Sequence, residues 1–407
     1  MLGNTGYPVD WSWHDAQGFA RVINTSGTMT SLGGSIATRR VAEATAAAMP
    51  RFVHIHEMQA RASEVIAQLT GAEAGFLTAS ASAGITLAVA GCITGLDPAR
   101  AEALPGDPGP GNGVAVQMGH LCEYGAPVSQ AIALAGGATR IVGQSTLAKD
   151  YQLDAALEGC AAGLYVVSHH VVDYGMIPLE TFAAICHARG VPVIVDAASE
   201  YDLTGFLAGG ADIAIYSGHK FMGGPTSGIV AGRRDLIRAA YLQNIGIGRG
   251  MKIGKESIAG AIEAMAQWME RDHDAIRAEE TRALDMWKTA IEGLPGITPV
   301  RIPDPTGNPL ERLQVWVDPA RAGASAAQFA EILGRQDPPL IVRGHEVEQG
   351  YFQLDPCNLM QGQARMVRDI LVAGLSDGAA AAAIDAKAAA AAARNGGTQA
   401  YMDWLAG

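Results

Sequence analysis

Apolar and polar positions along the 407-residue chain follow two different periods. Residues 59–69 (QARASEVIAQL) place Ala62, Val65, Ile66 and Leu69 at the three- and four-residue spacing of a helix with one buried face, and Gly71 closes it. The apolar piece 75–78 (GFLT) leads through a small-residue turn in ASASAGITLAVAGCITG into a second helix. From there strands and helices alternate. The pattern predicts strands over 113–118, 139–142, 163–168, 191–195 and 212–216, with helices over 126–135, 153–159 and 179–189. These strands are short, rich in Val and Ile, and apolar at successive positions. Strands of that kind, spaced by helices, predict an α/β fold with a largely parallel sheet covered on both faces.

The style then changes. A helical stretch over 258–292 leads away from this core, and LPGITPVRIPDPTGNP breaks it. The segments LERLQVWVD, ASAAQFAEILGRQ, PLIVRG and GYFQLDP predict a smaller α+β lobe. The run GAAAAAIDAKAAAAAARNGG predicts a C-terminal helix, because alanine has the highest helix propensity. The expected organisation is an N-terminal arm over 1–58 contributing to the small lobe, a large domain over 59–257, a connecting helix over 258–292 and a small domain over 293–407.

Composition narrows the function classes. An apolar content of 49% and a charged content of 17% describe a globular protein with a substantial core. The net charge of -12 argues against general binding to nucleic acid or to an anionic membrane. The five cysteines (Cys92, Cys122, Cys160, Cys186, Cys357) are scattered and form no CxxC pair, the usage of reduced thiols in a cytoplasm. The first residues show no signal-peptide pattern, and no apolar run reaches the roughly 18 residues of a membrane span. A cytoplasmic protein is the expectation.

Candidate chemistry gathers where the strands end, since open parallel sheets hold ligands outside the carboxyl ends of their strands. Those ends carry His120, Ser168-His169-His170, Asp196, and Ser217-Gly218-His219-Lys220. The helix opened by TASASAG offers backbone N–H groups and the hydroxyls of Thr78, Ser80 and Ser82, a cradle for phosphate at a helix N-terminus. Lysine is rarely buried without a partner, so Lys220, just past the apolar run ADIAIYS, either reaches water or is held covalently. A lysine, an acid, a phosphate cradle and a flat histidine together meet the needs of pyridoxal phosphate. Each residue also has a plainer reading: Lys220 as a surface lysine, Asp196 as a helix cap, His120 as an interior histidine. His54 and His56 would share a face on a strand as a metal pair, but no third ligand stands at useful spacing and no metal is expected. Cys186-His187 falls in a helix and reads as structural, and GGPTSG lacks the GK[ST] ending of a P-loop.

Two segments carry a resemblance. VPVIVDAAS, with Asp196, and YSGHKFMGGPTSGIVAGRRDLI, with Lys220 24 positions further on, resemble the aspartate and lysine segments of fold-type I pyridoxal-phosphate enzymes. More narrowly they resemble the group related to selenocysteine synthase, nearest to D-glucosaminate-6-phosphate ammonia-lyase-like proteins. LTGAEAGFLTASASAGITLAVAG and MGHLCEYGAPVSQAIALAGG resemble that group's phosphate-loop and ring-stacking regions. The resemblance implies Lys220 as the Schiff-base lysine, Asp196 as partner of the pyridinium nitrogen and His120 stacked on the ring. It implies Ser80, Ala81, Ser82 and Ser217 at the phosphate, His219 beside Lys220, and His169 or His170 near the ring hydroxyl. Arg343 in PLIVRG would hold the substrate carboxylate, and His170, His120 or His56 would supply a proton to a leaving group. The segment GHLCEYGAP bears a histidine where selenocysteine synthase bears an arginine, and the acidic balance also argues against a tRNA substrate. The implied activity is a pyridoxal-phosphate lyase that eliminates from a β-hydroxylated or β-substituted amino acid to give a 2-oxo acid and ammonia, in a homodimer or larger even assembly. An aldolase, a racemase and an idle pyridoxal-binding regulator are the alternatives.

Overall fold

Seven strands build the central sheet of the larger of two units in the computed structural model, which describes residues 7–406. They are β1 (Ala74–Thr78), β2 (Gly113–Gln117), β3 (Ala138–Val142), β4 (Cys160–Val166), β5 (Val193–Asp196), β6 (Ile213–Ser217) and β7 (Gly228–Gly232). Their order across the sheet is β1-β7-β6-β5-β4-β2-β3. Only β7 runs against its neighbours; every other pairing is parallel. Strand β7 is absent from the sequence reading, because its two terminal glycines made GIVAG look like the tail of a turn.

The doubly apolar strands follow from two cores on opposite faces of this sheet. Val193, Val195, Ala214 and Tyr216 pack on one face, and Ile194, Ile213 and Ile215 on the other. Helix α1 (Ile55–Thr70) covers the first face with Ala62, Val65, Ile66 and Leu69. Helix α2 (Ala81–Thr94) is buried nearly all round, as a helix apolar on every side must be. Gly91 lets it meet the helix Arg234–Leu242: a Cβ there would lie 2.5 Å from the Ala240 nitrogen.

The larger unit is Arg40–Arg271; the smaller comprises the described residues up to Arg39 and those from Asp272 onward. The first six residues of the expected arm over 1–58 lie outside the described residues. The stretch expected as one connecting helix over 258–292 is two helices, Lys255–Glu270 and His273–Ile291. Asp272 breaks it by capping the second, accepting the Ala275 N–H at 2.9 Å. In the smaller unit, Glu311–Val317 pairs antiparallel with Ile297–Pro303 and Tyr351–Leu354, while Ile23–Thr25 runs parallel to Leu340–Val342. Trp287, Phe329, Phe352 and Leu313 fill its core. The alanine-rich run forms two helices, Gly378–Ala382 and Ala386–Asp403, because Asp377 and Asp385 each cap a new start. Among the described residues no helix is long and apolar enough to cross a membrane.

Candidate active site

The ladder register lines up one edge of the sheet. Ser217 pairs with Gly228, and Gly228 with Thr78, so the ends of β6 and β1 meet on either side of β7. Asp196 pairs with Ile215 on one side and Val166 on the other. Adjacent strands lie about 4.8 Å apart, so the residues that end β1, β6, β5 and β4 face one region. Gly228 is required there: a Cβ would sit 2.2 Å from the Ser80 carbonyl oxygen, and only glycine lets β7 pass the loop that opens α2.

Asp196 and Lys220 share this edge. Asp196 is 5% exposed, and among the described residues its carboxylate accepts one hydrogen bond, from the Ala198 N–H to Oδ1 at 3.2 Å. Burial pushes its carboxyl up to about 6, against the pull of the Lys220 charge and the Ala198 N–H. Burial holds the Lys220 ammonium below its ordinary value, while Asp196 and Glu200 pull the other way. Lys220 Nζ donates to Ser199 Oγ. Each charge thus makes the other tolerable, yet neither is fully answered. Beside them, Ser217 Oγ lies 3.0 Å from His219 Nδ1, and burial followed by the Lys220 charge pushes that imidazole down.

His120 lies in the single turn after β2 and is fully buried. Its Nδ1 accepts the Val166 N–H at 3.2 Å, which leaves the ring proton on Nε2. Nε2 has no partner. Burial pushes the imidazole down to about 4, so His120 is a neutral ring at ordinary pH. The edge of Tyr165 holds it, with ring centroids 4.5 Å apart at 89°. His169 and His170 follow β4, their centroids 3.8 Å apart; His169 is half-buried and His170 exposed.

The start of α2 is open to an anion. Ser80 is the cap, its Oγ accepting the Ala83 N–H at 3.1 Å, and its carbonyl takes the Gly84 N–H. The N–H groups of Ala81 and Ser82, at the first two helical positions, have no intrahelical acceptor. Ser82 Oγ lies 3.1 Å from the Tyr124 hydroxyl. Tyr124, Ser199 and Glu200 were not picked out in the sequence, although Tyr124 and Ser199 lie in segments singled out for a neighbour and Glu200 follows directly after one.

Two candidates stand differently. His54 precedes α1 at its N-cap position, with no side-chain cap bond, and His56 lies in the first turn, so the two are not alternate residues of a strand and do not share a face. His56 Nδ1 is 2.9 Å from the Tyr241 hydroxyl. One turn on, Gln59 exchanges hydrogen bonds with the Leu77 backbone, which sets His56 near the Thr78 end of β1. No group of three or more metal-ligating side chains occurs among the described residues. Arg343 belongs to the smaller unit, where it follows Leu340–Val342 and exchanges backbone hydrogen bonds with Gln353 at 2.9 Å. His187, expected to be structural, lies 2.8 Å from Asp212 Oδ2 at the opposite edge of the sheet.

Residues 109–294 match the family of L-seryl-tRNA selenium transferase. The chain is 39% identical to D-glucosaminate-6-phosphate ammonia lyase of Salmonella typhimurium over 351 residues, 86% of this chain and 94% of that protein. A solved structure of a D-glucosaminate-6-phosphate ammonia-lyase superposes with a TM-score of 0.82 at 37% identity, covering 90% of this chain and 99% of the other. The chain belongs to this ammonia-lyase family. It is also 35% identical, over 86% of its length and 89% of the relative's, to a Streptomyces protein named 5'-C-glycyluridine monooxygenase-decarboxylase.

Membership makes the chain a fold-type I enzyme whose cofactor is pyridoxal phosphate. Its own residues fit that group. Asp196 is a buried carboxyl pushed up by desolvation beside the Lys220 charge, the buried Nε2 of His120 makes no hydrogen bond among the described residues, and the first N–H groups of α2 lie beside Gly228.

Proposed function

We propose that this chain is a pyridoxal-phosphate lyase of a β-hydroxylated amino acid, releasing ammonia and a 2-oxo acid. The observation that carries the reading is the Asp196–Lys220 pair at the sheet edge of a chain 39% identical to an ammonia lyase over nearly that enzyme's whole length. The cofactor, when bound, supplies an electron sink for the pair released at the substrate's Cα. Lys220 would be its covalent seat, Asp196 would partner its ring nitrogen and His120 would lie against its ring as a neutral imidazole. Ser217 and the Ser80–Ser82 segment take the phosphate, and His169 lies at the ring hydroxyl with His219 beside Lys220.

What the chain contributes is proton management. With its ammonium destabilised by burial, Lys220 gives up its proton more readily than an exposed lysine, so Nζ serves first as nucleophile and then as the base at Cα. Burial raises the Asp196 carboxyl to about 6, so its carboxylate is stabilised by, and in turn stabilises, a proton on a basic nitrogen brought next to it. The leaving hydroxyl needs a proton, for which His170 and His56 are the exposed candidates. His120 is the poorest acid of the three, because it stays neutral down to about pH 4. Arg343 takes the substrate carboxylate. The reading includes a cytoplasmic enzyme that assembles with copies of itself, supported by the exposed apolar run of Met49, Phe52, Val53 and Ile55.

The test is product analysis in deuterated water with D-glucosaminate 6-phosphate and a panel of D- and L-hydroxyamino acids. Ammonia and a 2-oxo acid without oxygen uptake are expected. An aldehyde without ammonia would make the enzyme an aldolase, and labelled substrate returned intact would make it a racemase. Oxygen uptake with loss of carbon dioxide would align it with the Streptomyces relative. A cofactor-loaded protein that turns over none of these compounds would leave the idle regulator.

A further inference from the structure

The smaller unit contains a buried charge that its own fold leaves unanswered. Arg312, 5% exposed, donates Nη2 to Asp304 Oδ2 at 2.7 Å and Nε to Asp355 Oδ2 at 3.1 Å. The other oxygens of both acids are occupied as well. Asp355 Oδ1 accepts the Cys357 N–H at 2.9 Å. Asp304 Oδ1 accepts from the Thr306 N–H, the Thr306 hydroxyl and Asn308 Nδ2, at 3.0, 2.7 and 3.2 Å. A buried ionic cluster is stable only when its members are answered in this way.

Arg343 is nearly as buried, at 7% exposure, and its backbone pairs with Gln353, two residues before Asp355. Among the described residues its guanidinium makes no ion pair and no side-chain hydrogen bond. Its environment is nevertheless charged: burial and then the like charge of Arg312 hold the guanidinium below its ordinary value, while Asp355, Glu346 and Asp304 pull the other way. Three acids lie within electrostatic reach of this guanidinium; Asp304 and Asp355 are held by a different arginine, Arg312, and Glu346 makes no ion pair with Arg343 among the described residues.

We propose that Arg343 is an anion receptor and that Arg312 is the positioning residue that keeps it open, by engaging Asp304 and Asp355 so that neither turns to Arg343. The anion is the carboxylate of the amino-acid substrate, whose two oxygens match the planar fork of a guanidinium; this rests on the role given to Arg343 above. If Arg312 lost its fixed pair of donors, Asp355 Oδ2 would be left buried and unanswered, with Arg343 the remaining buried cation in reach. The receptor would then be closed by the protein's own acid.

The test is a double-mutant cycle on the holoenzyme. The probe is D-glucosaminate 6-phosphate, its Kd read from the cofactor absorbance and its kcat from ammonia release. Arg312→Lys keeps the charge but cannot hold two carboxylates in a fixed fork. It should raise Kd about fivefold or more and leave kcat within about twofold. In an Arg343→Gln background the same change should add nothing, because Arg312 acts through Arg343. Asp355→Asn, which removes the competing acid, should leave Kd at or below the wild-type value. An unchanged Kd in folded Arg312→Lys overturns the proposal, as does an equal rise in the Arg343→Gln background or a raised Kd in Asp355→Asn. If Arg343→Gln alone leaves Kd unchanged, the carboxylate role itself falls, and the proposal with it.

Discussion

Two buried aspartates stand at opposite ends of neighbouring parallel strands and are treated in opposite ways. Asp212, just before β6, accepts from Arg233 Nη1 at 2.9 Å, from His187 at 2.8 Å and from the Val193 N–H at 2.8 Å. Asp196, at the end of β5, has one N–H and the nearby charge of Lys220, and burial raises its carboxyl to about 6. The first acid ties Val193, the helix Leu179–Ala188 and Arg233 together at the edge where the strands begin. The second is left short of partners at the edge where the strands end. A saturated buried charge marks architecture, and an unsaturated one marks a place kept for something else. The smaller unit repeats the contrast with Arg312 and Arg343.

Removing the unsaturated pair should abolish turnover without unfolding the chain. Lys220→Ala is expected to lose activity a thousandfold or more, about 4 kcal/mol of barrier, while its circular dichroism stays that of the wild type. Asp196→Asn should still take up cofactor, since the phosphate contacts are intact, and lose about a hundredfold in kcat, near 2.7 kcal/mol. The matched change at the saturated acid sharpens the contrast. Asp212→Asn should lower stability by about 2 kcal/mol in denaturant titration and leave kcat within about twofold. An Asp212→Asn enzyme as inactive as Asp196→Asn would break the distinction.

The next effect is read in pH. Folded His120 stays neutral down to about 4, whereas in the unfolded chain it takes a proton below its ordinary 6.5. Its folded value is depressed, so stability is lost as pH falls from 6.5 toward 4. Between pH 7 and pH 5 this costs the cofactor-free protein about 2 kcal/mol, and His120→Gln should not show that loss. Equal pH slopes in the two proteins would mean that His120 is not the buried neutral ring described here.

The parallel core was legible because its signal is local. Strands apolar on both faces, such as β5 and β6, declare themselves in four or five residues. Strand β7 did not, because glycines bound it and its antiparallel pairing is a property of the sheet. The helix break at Asp272 was readable in principle as a capping residue, but the surrounding helical pattern masked it. In the candidate site, Asp196 and Lys220 are singled out by the spacing of two family-like segments, and the structure sets each within electrostatic reach of the other. Ser199, Glu200 and Tyr124 were not, since their relevance comes from register and burial rather than from any motif. The unpaired state of Arg343 also lies beyond sequence, because it depends on which arginine takes Asp355.

The account rests on Lys220 as the covalent seat of pyridoxal phosphate. Borohydride reduction of the yellow holoenzyme, followed by peptide mass analysis, tests this directly. The account predicts loss of the visible absorbance and the cofactor's added mass on the peptide that contains Lys220, with none in Lys220→Ala. Added mass on a peptide bearing another lysine, or a protein that stays colourless and unlabelled after incubation with pyridoxal phosphate, would contradict it.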